Sequence, residues 1–175
     1  MTKFICISGK AQNGKDTSAR ILCNYLEEKG NKVLIVHYAD LLKYICRNWF
    51  GWNGEKDLSG RTLLQRVGTD VVRNKRPDFW VDFILDVVSL FEDEWDYIII
   101  PDTRFPNELY KLKESGYPMT HIRVTRNDFE SPLSMEQQAH ISETALDDEV
   151  PDILLVNEGT MEQLTKAVKN IIKQL

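Results

Sequence analysis

Residues 9–17 read Gly-Lys-Ala-Gln-Asn-Gly-Lys-Asp-Thr, so two glycines and a lysine stand at the spacing G-x-x-x-x-G-K. A loop this short of bulky side chains lets its backbone N–H groups curl around the β-phosphate of a nucleotide, and the lysine reaches the β/γ oxygens. Gly9, Asn13, Gly14, Lys15, Asp16 and Thr17 are therefore candidate ligands of a nucleoside triphosphate. One position departs from the usual pattern: Asp16 stands where a Ser or Thr ordinarily offers its hydroxyl to Mg²⁺. The metal is then held by this carboxylate, directly or through water, or Thr17 takes part of the task. A plain helix cap is the other reading of Asp16.

A second set of polar residues lies far along the chain. The run Tyr97–Ile100 ends in Pro101-Asp102-Thr103-Arg104, which places a carboxylate and a guanidinium two residues apart at a strand tip. There they serve Mg²⁺ and an anionic phosphate, or they hold a local turn through an Asp–Arg contact. Arg66, Asp70 and Arg73 fall at i, i+4 and i+7 and so predict one helix face, read as an anion site or as a solvated ladder of charges. Arg123, Arg126, His140 and Glu143 surround residues 126–150, a polar stretch that is either a lid over bound phosphates or a long surface connection.

These residues need a frame. Phe4–Ile7 reads as a buried parallel strand, and Ala19, Leu22, Cys23 and Leu26 recur at helical spacing until Gly30 supplies a stop. Further strands are predicted at Lys32–His37, Tyr97–Ile100, Thr120–Thr125 and Asp152–Val156, each followed by a loop and a helical stretch. That alternation predicts an α/β fold with a parallel sheet wrapped by helices and ligands at the carboxyl ends of the strands. Residues 41–91 are helical: Leu64, Val67 and Val71 mark one apolar face, Pro77 breaks the pattern, and Asp78 is placed to cap a helix whose Phe79, Trp80, Phe83, Ile84, Val87, Val88 and Phe91 belong mostly in the core. A last helical stripe runs from Met161 to Leu175, with Thr160 and Gln163 as its capping box.

The chain has 175 residues, a length that suits one domain spanning 1–175. Its 22 Lys and Arg against 27 Asp and Glu give a net charge of −5, and acidic stretches such as Glu92-Asp93-Glu94 speak against indiscriminate binding to nucleic acid or anionic membrane. Cys6, Cys23 and Cys46 are odd in number and lack a C-x-x-C spacing, as expected of buried thiols in a reducing compartment. With no leader and no long apolar run, the expected location is the cytoplasm. The three histidines are too scattered to predict a metal site.

The loop ending G-K-D-T, the stretch LLQRVGTDVVRN followed by FW, the strand tip YIIIPDTRFPNE, the segment HISETALDD and the final DILLVNEGTMEQL occur in one order along nearly the whole chain. Together they resemble the deoxynucleoside monophosphate kinases of tailed bacteriophages and related P-loop kinases. The resemblance implies a three-layer sandwich: a mostly parallel five-stranded sheet flanked by helices, with residues 126–150 as a lid. The chain lacks a large insertion that some of those phage kinases carry between the second strand and the L-L-Q-R helix, which bears on the shape of its acceptor pocket. More distantly, the G-K-D loop is similar to that of animal phosphomevalonate kinases and of phage kinases acting on hydroxymethylated bases in DNA.

The resemblance implies that ATP gives its γ-phosphoryl to the 5′-phosphate of a deoxynucleoside monophosphate with Mg²⁺ assistance. The acceptor oxygen is already ionised, so alignment and charge neutralisation suffice and no strong base is required. Lys15 then holds the β/γ-phosphates, and Asp16, Thr17 and Asp102 are candidates for the metal shell. Arg104, Arg66 and Arg73 clamp the acceptor phosphate, with Asp40, Lys43, Asp70 and Glu143 lining the same cleft, and Arg126 reaches the transferring group from the lid. Trp80 either stacks on the acceptor base or packs in the core. Asn157 and Thr160 sit where the resemblance to adenylate-type kinases places the donor adenine. The expected partner is a small nucleotide, with no stable nucleic-acid binding, no membrane, and a homodimer left open. The competing readings are a different acceptor, namely modified DNA or a phosphomevalonate-like metabolite, and a nucleotide-binding regulatory ATPase.

Overall fold

In the computed structural model, which describes all residues except Glu92, Asp128 and Leu175, short apolar strands alternate with helices from end to end. Glu92 of the acidic stretch, Asp128 of the 126–150 segment and Leu175 of the last stripe thus lie outside the described residues. The strands are β1 (Lys3–Ser8), β2 (Val33–Ile35), β3 (Tyr97–Ile100), β4 (Met119–Arg126) and β5 (Ile153–Asn157). All their pairings are parallel, in the order β2-β3-β1-β4-β5. The strand expected at 32–37 is shorter than predicted. The backbone of Val36 still bonds to Ile99, and His37 then turns away to start the next helix.

Alternation along the strands separates two cores. Ile5, Ile7, Ile99, Ile122, Val124, Ile153 and Leu155 face one side. There they meet α1 (Lys15–Glu28), through Ala19, Leu22 and Leu26, and α8 (Met161–Ile171), through Leu164, Val168 and Ile171. Phe4, Cys6, Ile98 and Ile100 face the other side, against α4 (Phe79–Leu90) and α5 (Pro106–Glu114). Each such aliphatic side chain contributes about 2 kcal/mol when removed from water, so a strand lined on both faces fixes the three-layer arrangement. The capping box Thr160–Gln163 forms as predicted, Thr160 Oγ1 accepting from the Gln163 N–H at 3.2 Å.

Three local expectations are corrected. Residues 66–73 continue α3 (Leu58–Gln65) as a π-helical segment. Its i→i+5 repeat rotates Arg66, Asp70 and Arg73 off the common face that a 3.6-residue period assigns them. Asp78 holds the N-cap position of α4, but its carboxylate accepts from the Asn107 side chain at 2.8 Å and makes no cap hydrogen bond. On α4, Trp80, Val81, Ile84 and Val88 are buried whereas Phe83, Val87 and Leu90 are exposed, as is Phe91 at its C-cap, so the helix is two-sided. Cys6 and Cys46 are buried and Cys23 is only partly so; all three are free thiols. Among the described residues no helix is long and apolar enough to cross a membrane.

His121, central in β4, is 2% exposed and lies 2.8 Å from Ser8 Oγ, the last residue of β1. Burial, assisted by Arg123, pushes its pKa from 6.5 down to about 4. The native state therefore excludes a proton that the unfolded chain binds. The stabilisation is complete above the unfolded pKa and is lost as pH falls from 6.5 towards 4. Urea unfolding at about pH 7.5 and pH 5 should show the wild type losing on the order of 2 kcal/mol more than His121→Gln. Equal losses would contradict the assignment.

Candidate active site

The loop between β1 and α1 owes its path to positions without side chains. Gly9 has φ 141°, and a Cβ there would overlap the carbonyl of Val124 in β4. Gly14 has φ 99° as the N-cap of α1, and a Cβ would lie 2.7 Å from Asn157 Nδ2. Between them Gln12 also takes the left-handed region, at φ 61°, a strained conformation of the kind found where a loop is shaped for a ligand. Two asparagines tie the loop down: Asn157 Nδ2 donates to the Asn13 carbonyl at 2.9 Å, and Asn13 Nδ2 donates to the Val124 carbonyl at 3.2 Å.

Lys15 is 8% exposed, and its ammonium donates to the carbonyls of Gly9 and Lys10, each at 2.8 Å. Burial and then the neighbouring Arg104 guanidinium lower its pKa from 10.5 to about 8. Asp16 follows at the start of α1, with Oδ1 2.9 Å from His37 Nε2; that hydrogen bond holds the carboxyl below its ordinary range and raises the imidazole. Asp40 lies 3.4 Å from the other His37 nitrogen, and Lys43 lies 3.2 Å from Asp40, so a chain of charges leads from the loop into α2 (Ala39–Phe50).

A cavity of about 450 Å³ opens beside the loop at the carboxyl ends of β1, β2 and β3. Its lining brings together Lys15, Asp16, Lys43, Arg73, Trp80, Asp102, Arg104 and Glu143 from the predicted set. Six cations (Lys15, Lys43, Lys56, Arg61, Arg73, Arg104) face three carboxylates (Asp16, Asp102, Glu143) there, in a chain whose net charge is −5. Such a concentration of positive charge suits a polyanion. Lys56 and Arg61 gave no signal in sequence, since they follow no motif; burial and Lys43 lower the pKa of Lys56. Trp80 belongs both to this lining and to the core: it is 3% exposed, and its indole N–H donates to the Gly68 carbonyl at 3.1 Å.

Other predicted residues stand elsewhere. Asp40, Arg66 and Asp70 are exposed and line neither this cavity nor the smaller one beside it; Asp40 instead faces His37 and Lys43, and the π-helical twist explains the other two. Arg126 stacks on the Phe129 ring at 4.4 Å and stands near Gly159, on the α8 side of the loop. Asn157 and Thr160 are close by, but Asn157 serves the loop and the Thr160 hydroxyl caps α8. Asp102 accepts from the N–H groups of Tyr38 and Ala39 at 3.0 and 2.9 Å, holding the start of α2.

Glu143 lies between α6 (Met135–Ala139) and the end of the 126–150 stretch, in α7 (Ile141–Thr144). One of its oxygens accepts from the Ala11 N–H of the loop at 3.1 Å, and the other pairs with Arg104, whose guanidinium also donates to the Ser142 carbonyl at 2.9 Å. Lys10 donates to the Glu143 carbonyl at 2.6 Å and pairs with Asp147, while Arg123 donates to the carbonyls of Leu146 and Glu149. A carboxylate therefore already sits on an amide of the β1–α1 loop. Beside these bonds a second cavity, of about 100 Å³, is lined by both the loop and this segment, among them Gly9, Asn13, Glu143 and Asp147.

Among solved structures the fold is similar to dephospho-CoA kinase from Campylobacter jejuni, with TM-score 0.56 and 12% identity over 99% of this chain and 97% of that one. Curated relatives are closer in sequence. The deoxynucleotide monophosphate kinase of Enterobacteria phage T4 is 35% identical over 125 residues, covering 70% of this chain and 49% of that protein. The corresponding protein of Escherichia phage RB69 is 32% identical over 115 residues, covering 65% of this chain and 44% of that protein. The chain thus spans about half the length of these relatives. The family described as deoxynucleotide monophosphate kinase matches residues 27–168, a stretch that begins within α1 and carries Asp40, Arg73, Asp102, Arg104, Glu108 and Glu143. With the match extending over most of its length, the chain belongs to the deoxynucleotide monophosphate kinase family.

Proposed function

We propose that the protein transfers the γ-phosphoryl group of ATP to the 5′-phosphate of a deoxynucleoside monophosphate. The observation that carries this reading is the joining of a phosphate loop to a cavity with six cations in its lining, in a chain that is acidic as a whole. The loop's own N–H groups and Lys15 account for the donor phosphates, and Arg73 and Arg104 then remain for a second anion. A regulatory ATPase has no use for that second site. A kinase acting on bases within DNA needs a basic track to meet the backbone, whereas here the cations gather in one cavity. A phosphorylated metabolite would satisfy the same cations, and membership of the family favours the nucleotide.

Residues 1–175 act in this proposal as one kinase domain, with 126–150 as the lid. The donor phosphates replace the contacts that Lys15 and the Ala11 N–H make with the protein itself. The acceptor phosphate displaces the Glu143 carboxylate from Arg104, so Glu143 acts as a resident anion and not as a phosphate ligand. Leu42, Leu64 and Trp80 supply apolar surface for the acceptor base. Lys15 and Arg104 offset the charge that spreads over the transferring group, and no general base is needed. Arg126 and Asn157 stand on the α8 side of the loop, where they suit the donor nucleoside.

The residues present fit Mg²⁺. Asp16 is a carboxylate at the mouth of the loop, 64% exposed in its side chain, and Thr17, the next residue, carries a hydroxyl. Among the described residues no cluster of three or more His, Cys, Asp or Glu forms a protein-only cage. A cation held by one or two protein oxygens and by substrate phosphates is the usual Mg²⁺ arrangement. Asp16 and Thr17 would hold the ion, with Asp102 reaching it through water, and the ion would neutralise charge on the β- and γ-oxygens.

Two outcomes check the reading. Because burial and Arg104 depress the ammonium of Lys15 to a pKa of about 8, the free protein loses that charge as pH rises through about 8. The kcat/KM for ATP should fall over the same range, and a profile flat to about pH 9.5 would contradict the role of Lys15. Arg104→Ala should raise the KM for the monophosphate about tenfold or more while changing the KM for ATP less than about twofold. An unchanged acceptor KM would remove Arg104 from the acceptor site.

A further inference from the structure

The side chain of Glu108 is completely buried at the third position of α5, directly behind the strand tip that carries Asp102 and Arg104. One oxygen accepts from the backbone N–H groups of Arg104 at 2.7 Å and Phe105 at 3.0 Å; the other pairs with the Arg73 guanidinium. That guanidinium, 13% exposed in its side chain, also lies 4.0 Å from the centre of the Phe105 ring. A single carboxylate thus holds the backbone of one cavity arginine and the side chain of the other, which come from segments 31 positions apart in sequence.

We infer that Glu108 is the positioning residue of the acceptor site, setting Arg73 and Arg104 in register for one phosphate. The inference rests on the acceptor reading proposed above. A buried carboxylate costs several kcal/mol in solvation, and it is retained only where paired and hydrogen-bonded. Glu108 has both kinds of partner, and all of them belong to the strand tip or to Arg73. Arg73 is in turn gripped at two places, by the carboxylate below and by the aromatic face beside it, so its fork is pre-organised before any ligand arrives. A helix cap alone explains the two backbone contacts but leaves the Arg73 pair without a purpose.

Glu108→Gln separates the two duties. A Gln oxygen can still accept from Arg104 and Phe105, but its amide nitrogen then faces Arg73 and cannot pair with it. The acceptor KM should rise about tenfold or more, with the KM for ATP within about twofold of wild type. The double variant Arg73→Ala/Glu108→Gln should be no worse than Arg73→Ala alone, because the two residues act as one unit. An acceptor KM within about twofold of wild type in Glu108→Gln, or effects of the two substitutions that multiply, would overturn the inference.

A measurement on the unaltered protein keeps the test independent of that variant's folding and of the substrate. The Arg73 guanidinium Nη–H resonances in ¹H–¹⁵N spectra, assigned by their loss in Arg73→Lys, should be sharp and slow to exchange with water before any nucleotide is added, since a terminal nitrogen makes the Glu108 pair. A fast-exchanging, mobile Arg73 would refute the socket. Absence of turnover with every deoxynucleoside monophosphate, together with an immobile Arg73, would defeat the acceptor reading and leave the positioning role standing for another anion.

Discussion

The close approach of the Gly9 backbone to the Val124 carbonyl is the contact on which the site depends. A parallel sheet turns its strand ends towards one edge, and only a residue without a Cβ can leave β1 and pass against β4 there. That passage, reinforced by Asn13 and Asn157, fixes where the loop N–H groups point and where Lys15 enters. The two cores hold the strands in register from both faces.

Electrostatics supplies the rest of the account. The protein concentrates cations at one end of an acidic chain and restrains them with a small number of carboxylates. Each restraint has a physical consequence. Burial, with crowding by Arg104, weakens the hold of Lys15 on its proton, Glu108 pairs with Arg73, and Glu143 occupies Arg104 and one loop amide. The carboxylates keep like charges together in the absence of a polyanion, a geometry that repulsion would otherwise disperse. A bound phosphate would do the same work with more charge.

Much of this was legible in the sequence. Strands β1 and β3 are continuous apolar runs next to punctuated loops, and a buried parallel strand leaves that trace. The G-x-x-x-x-G-K spacing located the loop because the backbone path itself demands those residue types. Arg66 was misplaced for a different reason: spacing arguments assume 3.6 residues per turn, and residues 66–73 run on from α3 as a π-helical segment. The exposed face of α4 was hidden similarly, since an apolar side chain reports a preference for burial and not whether a neighbour exists to cover it. Glu108 could be read as the third residue of a helix start, but its burial beneath Arg73 is a tertiary fact. Lys56 reaches the cavity from the bend between α2 and α3 and Arg61 from the first turns of α3, a placement that no local pattern encodes.

The central claim is that the loop and the cation cavity serve one reaction between two nucleotides. Incubation of the protein with ATP, Mg²⁺ and each deoxynucleoside monophosphate in turn, followed by ³¹P NMR, tests it directly. The account predicts ADP and a deoxynucleoside diphosphate in equal amounts with at least one base. ADP accompanied only by inorganic phosphate, whichever monophosphate is present, would contradict it.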